Sequence, residues 1–593
     1  MLLPEGGARG GRWYPRRTVR LIEIRLLDGP SLYRLEPALK LEVAIGRRRT
    51  WYGRREPEPH ALVRLTATVP RSAQPARVAA LAQWARRLRR DHPDGAAGPV
   101  NVHRSSDPGH WILAWPWLLG DRAKAIAEAA LALVDRDMQP RVASKLTPRQ
   151  GRLLDGLGRR IAAAEGPGPT WIRDADRRLP IVSITGTNGK TTTTRLLSHI
   201  LREAGKRVGA TTSDGIVVGN EIVETGDWTG HGGAHAILHR DDVDVAVLET
   251  ARGGMLLRGV GYESNDASVI TNVSSDHMDL QGIHTLPELA EVKSIIARLT
   301  KPDGVVVLNA DDRHVAGIAR VVQAPVAYFS LEGDHSRRVR RHLAGGGLAY
   351  LVRDGRMGEA EGKTWRPFAN LADVPVALGG VARHNVANAL AAIGGARALG
   401  ASIEAVKRGL RTFVPSAEDS RGRLNVFRDD RRVVVVDFAH NEAGVAVLMD
   451  VVDAIAHATG SNGRRAPISA IIGLAGDRPD DTLRGVGRTV AGRVDRFVQK
   501  EMLHYLRGRT RESVLGEIRG GAVEGGWTEE IPVYIDEPTA LGAELDRTEA
   551  AERAEVIVLL CHEDREGVYR LIAERGLRPV DDPAELAALV SAS

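Results

Sequence analysis

The chain has 593 residues, of which 43% are hydrophobic and 26% charged, with a formal net charge of +7 and one cysteine. This length predicts several domains, and no apolar run approaches the roughly 20 residues that span a bilayer, which argues against a membrane protein. A single cysteine, Cys561, excludes an internal disulfide framework and a multi-cysteine zinc site, so we expect a cytoplasmic protein.

The positive charge comes mostly from arginine. It fits either a GC-rich genome or an acidic partner such as a nucleotide or a polyanionic substrate. Aromatic residues make up only 4% of the chain. This argues against nucleic acid as a partner, because surfaces that bind single strands stack bases on aromatic rings.

Residues 1–178 predict a separate α+β region. Residues 19–27 and 39–45 have the composition of strands, whereas 75–90 and 123–134 have the periodicity of amphipathic helices. A Gly-Pro-Gly-Pro stretch at 166–169 is typical of a linker. The role of this region is left open between binding of an acceptor substrate and formation of a homo-oligomer.

From residue 179 onward, short apolar runs alternate with helical patterns. This alternation predicts an α/β fold built on mostly parallel sheets with helices on their faces. Near 348–355, a strand-like run followed by Asp354 and Gly355 predicts a small hairpin. The predicted strands lie at 181–184, 243–248, 267–271, 305–308, 433–436, 468–472, 496–499 and 556–560.

The strongest motif lies between a predicted strand and a predicted helix, as a phosphate-binding loop requires. Its glycines allow a tight turn with inward N–H groups, Lys190 would neutralise phosphates, and Thr191 would offer a hydroxyl to Mg²⁺. Ile184 replaces the first glycine of the common pattern, so the loop is shorter; a chance Gly-Lys-Thr turn is the alternative. The motif comprises Gly186, Thr187, Asn188, Gly189, Lys190, Thr191 and Thr192.

This loop resembles the nucleotide loop of the Mur ligase superfamily. Those enzymes use ATP and Mg²⁺ to activate a carboxylate as an acyl phosphate and couple it to an amine. The resemblance implies three domains: an N-terminal domain at 1–178, a P-loop central ATP-binding domain at 179–415 and a Rossmann-like C-terminal domain at 416–593.

Further sequence segments, in the order that the resemblance predicts, imply a set of catalytic and metal-binding residues. Glu249 ends an apolar strand, where a carboxylate faces the ligand crevice, although an exposed strand end is the alternative. His277 by its chemistry is more typical of a loop, because Mg²⁺ prefers oxygen; the resemblance implies a metal ligand. By its sequence context alone, Lys293 would be a surface lysine, whereas the resemblance implies a carbamylated lysine that binds metal. Carbamylation needs an unprotonated amine and therefore a lowered pKa. Lys190 and Thr191 complete the set.

Five other residues resemble positions that surround the nucleotide in the superfamily. An asparagine can hydrogen-bond an adenine edge, with a helix N-cap as the alternative for Asn385. An arginine after the Gly422 turn would reach a phosphate, and an aspartate could accept ribose hydroxyls. These residues are Asn309, Asn385, Arg423, Asp437 and His440.

Within the superfamily, the chain is most similar to the ligase half of cyanophycin synthetases, through segments at 211–215, 249–254, 476–478 and 507–509. The stretch before residue 179 leaves no room for the ATP-grasp domain of those enzymes. The likeness implies that an amino acid is the amine and that a peptide or polyacid carries the carboxylate. Its candidate acceptor residues are Thr212, Asp214 and Arg252, with a surface ion pair as the alternative for Arg252. Its candidates for binding the carboxylate of the amino acid are Arg478 and Arg507.

Three alternatives stay open at this point. The chain could be another Mur-type ligase, acting on a peptidoglycan precursor or in polyglutamylation. It could also be a P-loop ATPase whose output is motion or assembly, or a ligase-derived scaffold without activity. Turnover of ATP that depends on an amino acid would separate a ligase from a motor.

Overall fold

The protein is described by a computed structural model that covers residues 19–45, 64–138, 140, 146–275, 281–417, 420–461, 463–551 and 553–590. The chain divides into two compact units, one formed by 1–170 with 257–259 and the other by 171–256 with 260–593. Within the described ranges, no helix has the length and apolar character needed to cross a membrane.

The first unit is an antiparallel sheet covered by helices. Its strand order is β1-β2-β4-β3, and the buried side chains of Trp84 and Trp115 fill the space between the sheet and the helices. The four elements predicted for this region are confirmed, with boundaries shifted by at most a few residues. The elements are β1 (Val19–Leu27), β2 (Ala38–Ile45), α1 (Ala76–Asp91), β3 (Asn101–Arg104), β4 (His110–Pro116), α2 (Gly120–Asp135) and α3 (Pro148–Ala163).

The second unit begins with an 11-stranded sheet. Its elements are β5 (Ile181–Thr185), α4 (Lys190–Glu203), β6 (Val208–Thr211), β7 (Gly215–Val218), β8 (Glu221–Thr225), α5 (His231–Leu238), β9 (Val245–Glu249), α6 (Arg252–Leu257), β10 (Asn265–Ile270), α7 (Leu286–Arg298), β11 (Thr300–Asn309), α8 (Arg313–Gly317), β12 (Val326–Ser330), α9 (Arg337–Ala344), β13 (Leu348–Arg353), β14 (Arg356–Glu361), β15 (Thr364–Asn370), α10 (Arg383–Ala398) and α11 (Ile403–Thr412).

The strand order of this sheet is β15-β14-β13-β12-β11-β10-β5-β9-β6-β7-β8. The strands from β13 to β6 run parallel, and antiparallel strands close both edges. The predicted hairpin is confirmed at β13 and β14, where Asp354 (φ 47°) and Gly355 (φ 70°) both adopt positive φ. Such a turn matches the twist of the two strands.

A seven-stranded sheet completes this unit, with the order β20-β19-β18-β21-β17-β16-β22. Its central strands are parallel and almost entirely apolar, as expected for strands buried on both faces. The α/β fold class with mostly parallel sheets is therefore confirmed. The elements are β16 (Asn425–Arg428), β17 (Arg432–Asp437), α12 (Glu442–Thr459), β18 (Ile468–Ile472), α13 (Asp480–Ala491), β19 (Arg496–Lys500), α14 (Arg511–Glu524), β20 (Val533–Tyr534), α15 (Glu537–Ala551), β21 (Glu555–Leu560), α16 (Arg565–Glu574), β22 (Arg578–Pro579) and α17 (Pro583–Ala588).

Candidate active site

The loop between β5 and α4 has the geometry of an anion-binding turn. Gly189 precedes α4 with φ 82°, so the following helix directs its N-terminal N–H groups toward the loop. A Cβ on Gly189 would lie 2.1 Å from Oδ1 of Asn388, and one on Gly186 would lie 1.8 Å from Oγ1 of Thr271. Close packing therefore requires glycine at both positions, and the positive φ of Gly189 adds a second reason there.

The segment that follows β10 holds this loop in place. The backbone N–H of Thr187 donates to the carbonyl of Asn272 (2.9 Å), and the N–H of Asn188 donates to Oδ1 of the same asparagine (2.9 Å). Nζ of Lys190 folds back to the Thr187 carbonyl at 2.9 Å. The lysine thus lies across the loop, at the position from which it would contact a bound phosphate.

A cavity of about 320 Å³ opens above this loop. It lies between the 11-stranded sheet and the seven-stranded sheet, so both halves of the second unit contribute to its wall. Of the residues predicted to bind nucleotide, Gly186 is not in the lining. Those that line the cavity are Thr187, Asn188, Gly189, Lys190, Thr191, Thr192, Asn309, Asn385, Arg423, Asp437 and His440.

On the side of the 11-stranded sheet, two asparagines predicted to lie near the nucleotide are held by local contacts. Nδ2 of Asn309 donates to the Thr271 carbonyl at 2.8 Å, and Oδ1 of Asn385 accepts from Nδ2 of Asn388 at 3.2 Å. Their orientations are therefore fixed within this wall of the cavity.

On the side of the seven-stranded sheet, the turn after β17 forms the wall. Both carboxylate oxygens of Asp437 accept backbone N–H groups, from Leu424 and from Ala439, each at 2.7 Å. The guanidinium of Arg423 lies 4.3 Å from the ring centroid of Phe438, within cation–π range. Asp437 therefore shapes the turn that places Arg423 and His440 in the cavity.

Glu249 is the strongest candidate for a metal ligand. It ends β9 with 3% of its surface exposed, and its Oε2 has no hydrogen-bond partner among the described residues. Burial raises the pKa of its carboxyl, while Lys190 and Arg423 oppose the rise. A buried carboxylate oxygen without a donor, next to the phosphate loop, suits a hard cation such as Mg²⁺.

The other predicted metal ligands have different outcomes. Oγ1 of Thr191 lies 3.3 Å from Oγ of Ser213. Lys293 is buried and donates from Nζ to the carbonyl of Gly186 at 2.7 Å, so it supports the phosphate loop directly. His277 lies outside the described residues. Carbamylation of Lys293 stays a prediction.

Beside the loop, Asp214 accepts from two arginines that come from different halves of the unit. Arg195 on α4 contacts it at 2.8 Å, and Arg565 at the start of α16 contacts it at 2.7 Å. Burial would raise the pKa of Asp214, but these two cations and Arg423 hold it below its usual range. The carboxylate is therefore charged and is part of a cation-rich cluster.

The remaining candidate acceptor residues occupy neighbouring positions. Thr212 is buried, and its hydroxyl accepts the N–H groups of Asp214 (3.1 Å) and Gly215 (3.2 Å), so it forms the turn that presents Asp214. Arg252 begins α6, three residues after Glu249. That Thr212 and Arg252 contact a substrate stays a prediction.

A second cavity of about 190 Å³ adjoins the first, since Phe438 and His440 line both. It contains Arg478 and Arg507, the two arginines predicted to bind the carboxylate of an amino acid. The guanidinium of Arg507 lies 5.2 Å from the Tyr505 ring. These two cationic side chains thus lie in a cavity that shares the wall formed by Phe438 and His440 with the cavity above the phosphate loop.

Sequence reasoning missed several residues of the site. Asn441 directly follows His440 in the same motif, so a local signal for it existed. Arg195 and Arg565 offered no local signal, because each pairs with Asp214 at a distance along the chain, and the packing of Asn388 against Gly189 gave none either. His562, in the wall of the second cavity, was missed for the same reason.

The fold and this loop define a nucleotide-binding domain of the P-loop type. Residues 184–396 match the family model of the Mur ligase middle domain, so the predicted resemblance is confirmed over this part of the chain.

Two curated relatives and one solved structure illustrate the similarity. Cyanophycin synthetase of Trichormus variabilis is 36% identical over 457 residues, covering 77% of this chain and 48% of that protein. Cyanophycin synthetase of Synechocystis sp. is 37% identical over 438 residues, covering 74% and 48%. The structure of E. coli FolC in complex with DHPP and ADP is 20% identical with a TM-score of 0.48, covering 67% of this chain and 89% of that one. The chain spans about half the length of the curated relatives it matches.

Proposed function

We propose that this chain is an ATP-dependent carbon–nitrogen ligase that activates a carboxylate as an acyl phosphate and couples it to an amine. One observation carries the proposal: the cavity above the phosphate loop shares a wall with a second cavity that contains two arginines. A motor ATPase needs the first cavity alone. A ligase needs a second site for an amine within reach of the phosphate.

In this proposal, the residues of the larger cavity bind ATP. The N–H groups of the loop and Lys190 hold its phosphates, Asn385 faces the base, and Asn309 lies close to the nucleotide. Arg423 approaches from the other half of the unit. A carboxylate oxygen of the acceptor forms a bond to the γ-phosphorus, and the bond to the leaving ADP oxygen breaks. Fixed cations stabilise the charge that develops on the transferring oxygens.

The second step consumes the acyl phosphate. The nitrogen of the amine attacks the carbonyl carbon, loses a proton and displaces inorganic phosphate, so the products are an amide, ADP and phosphate. The acyl phosphate must be shielded from water until the amine arrives. Arg565 and Asp214, which join the two halves of the unit beside the loop, would keep this space closed.

The residues present also fit Mg²⁺. Glu249 offers a buried oxygen without a donor among the described residues, and Thr191 offers a hydroxyl on the first turn of α4. When bound, Mg²⁺ would neutralise part of the phosphate charge. We keep His277 and a carbamylated Lys293 in the proposed ligand set.

For the substrates, we propose an amino acid as the amine and a peptide or polyacid as the carboxylate acceptor, as the likeness to cyanophycin synthetases implies. Arg478 and Arg507 can pair with the amino acid's carboxylate, since guanidinium groups bind carboxylates in a bidentate manner. Thr212, Asp214 and Arg252 remain the proposed acceptor contacts. The domain boundaries near 178 and 415 are part of the same proposal.

The test is phosphate release from MgATP across a panel of amino acids paired with peptide acceptors, including aspartate-rich chains. We expect release with particular pairs only, together with a mass gain on the acceptor. Lys190→Ala should abolish release, whereas Lys206→Ala, an exposed lysine just beyond α4, should not. Release that ignores every amine yet is lost in Lys190→Ala would favour the ATPase alternative.

A further inference from the structure

A buried ion pair lies outside the proposed substrate contacts and outside the lining of both cavities. Lys500, at the end of β19, and Glu537, at the start of α15, form a salt bridge with side chains that are 0% and 1% exposed. Charges so deeply buried are costly unless their remaining hydrogen bonds are satisfied. This cost suggests that the pair has a task beyond filling the core.

Glu537 satisfies its oxygens with the segment that follows β21. Its carboxylate accepts the backbone N–H groups of Glu563 (3.1 Å) and Asp564 (2.8 Å), the N–H of His562, and the thiol of Cys561 at 3.2 Å. Burial would raise the pKa of Glu537, but the Lys500 ammonium and these donors hold it below its usual range. The carboxylate is thus a charged anchor for residues 561–564.

One end of the anchored segment lies in the wall of the smaller cavity. Nδ1 of His562 lies 3.4 Å from Nζ of Lys500, and Nε2 lies 3.1 Å from the carbonyl of Ala439. Because Lys500 donates to Nδ1, Nε2 carries the hydrogen and donates to Ala439. His562 therefore supports the turn that contains Phe438 and His440, which both cavities share.

The other end of the segment leads to a contact beside the phosphate loop. Arg565 follows Asp564 and pairs with Asp214 at 2.7 Å. A Cβ on Gly422 would lie 2.9 Å from Cδ of Arg565, so the turn before Arg423 packs directly on this arginine. A shift of the segment would therefore move Arg423, Asp214 and His562 together.

We propose that Glu537 is a positioning residue that couples the two cavities: by anchoring residues 561–564 it sets His562 in the wall of the smaller cavity and Arg565 on Asp214 beside the phosphate loop. This inference rests on the proposed ligase function. Glu537 lines neither cavity itself, so its effect on turnover is expected through these two side chains.

The test uses the full chain. Glu537→Gln alone would leave the Lys500 ammonium buried without its partner, so the main variant is the charge-free pair Lys500→Met with Glu537→Gln. Arg565→Gln is the second variant, since this side chain is more exposed. Glu549→Gln is the matched control, because Glu549 is an exposed glutamate on the same helix.

In amide synthesis, we expect both variants to raise the KM for the amine about tenfold and to release more phosphate than amide. The Kd for ADP should rise as well, because Arg423 moves with the segment, whereas the Tm should stay close to that of the control. A KM and a phosphate-to-amide ratio that match Glu549→Gln would overturn the proposal. Weaker ADP binding and a higher KM for the amine, accompanied by a lower Tm, would also overturn it, because that combination indicates a merely structural role.

Hydrogen exchange gives a readout that does not need ligation. In the main variant, amides of 561–564 and of the turn at 212–215 should both exchange faster than in the control. Faster exchange confined to 561–564 would contradict the coupling. If wild-type protein formed no amide with any substrate but both segments responded, the ligase function would fail while the coupling stood.

Discussion

The side-chain amides of Asn188 and Asn441 exchange two hydrogen bonds, at 3.1 and 2.9 Å, although the residues lie 253 positions apart. Asn188 belongs to the phosphate loop, and Asn441 is the N-cap of α12, accepting the N–H of Gly444 at 2.9 Å. The pair thus ties the loop to the seven-stranded sheet at the cavity that both halves line.

We expect Asn441→Ala to lose both the N-cap of α12 and the hydrogen bonds with Asn188. Removal of the cap should lower the free energy of unfolding by about 1 kcal/mol, and release of Asn188 should weaken ADP binding as well. Ser402→Ala is the control, because Ser402 caps α11, away from the phosphate loop. Calorimetric unfolding and ADP titration measure the two effects. If both variants lost stability and neither lost ADP affinity, Asn441 would act as a cap only.

Gly189 allows a test that separates backbone strain from steric conflict. Gly189 and Gly205 have nearly equal φ angles, 82° and 80°, but their surroundings differ. A Cβ added at Gly189 would lie 2.1 Å from Oδ1 of Asn388, whereas one added at Gly205 would meet no described atom within 4 Å. Gly205→Ala should therefore cost only the strain of positive φ, about 1 kcal/mol of stability.

Gly189→Ala should cost more stability than Gly205→Ala and should also abolish ADP binding, since the loop must move away from Asn388. Denaturant unfolding and ADP titration of both variants provide the comparison. Equal stability losses with ADP binding intact in both would mean that the loop tolerates the displacement.

The local parts of the site could be predicted from the sequence because strand, glycine turn and helix are consecutive in the chain. The β5–loop–α4 unit and the carboxylate at the end of β9 are of this kind. The residues that join the two halves could not, because the partners of Asp214 and of Asn188 are determined by how two separate sheets pack. Even Asp437, predicted to meet a ribose, accepts two backbone N–H groups that only the folded turn brings near.

The two arginines of the smaller cavity predict how the amine is recognised. Arg507→Met and Arg478→Met should each raise the KM for the amino acid by about tenfold or more, because a charge-assisted pair with its carboxylate is lost. The same variants should treat the carboxyl-amidated amino acid much as wild type does. Steady-state amide synthesis with both amines checks this.

Arg519→Met serves as the control for these arginine variants, since Arg519 is an exposed residue of α14. It should leave both KM values unchanged. An equal rise in KM for the free and the amidated amine in Arg507→Met would show that the arginine shapes the cavity without binding the carboxylate.

In the first unit, His103 predicts a loss of stability in acid. The side chain is buried, with 1% of its surface exposed, and its Nδ1 lies 3.2 Å from the Ala67 carbonyl. Burial lowers the pKa of His103 to about 4. The unfolded chain binds a proton near pH 6.5, so the stabilisation is complete above that pH and is lost as the pH falls from 6.5 through 4, by about 3 kcal/mol in total.

Replacing the imidazole removes this dependence. We expect His103→Gln to be less stable than wild type at pH 7.5, because its amide does not reproduce the packing against Tyr33, whose ring lies 5.4 Å away. Between pH 6.5 and 4.5 its unfolding free energy should fall less steeply than that of wild type. His92→Gln, which changes a histidine just after α1, serves as the control variant. Parallel slopes for all three proteins would mean that His103 is protonated without penalty in the folded unit.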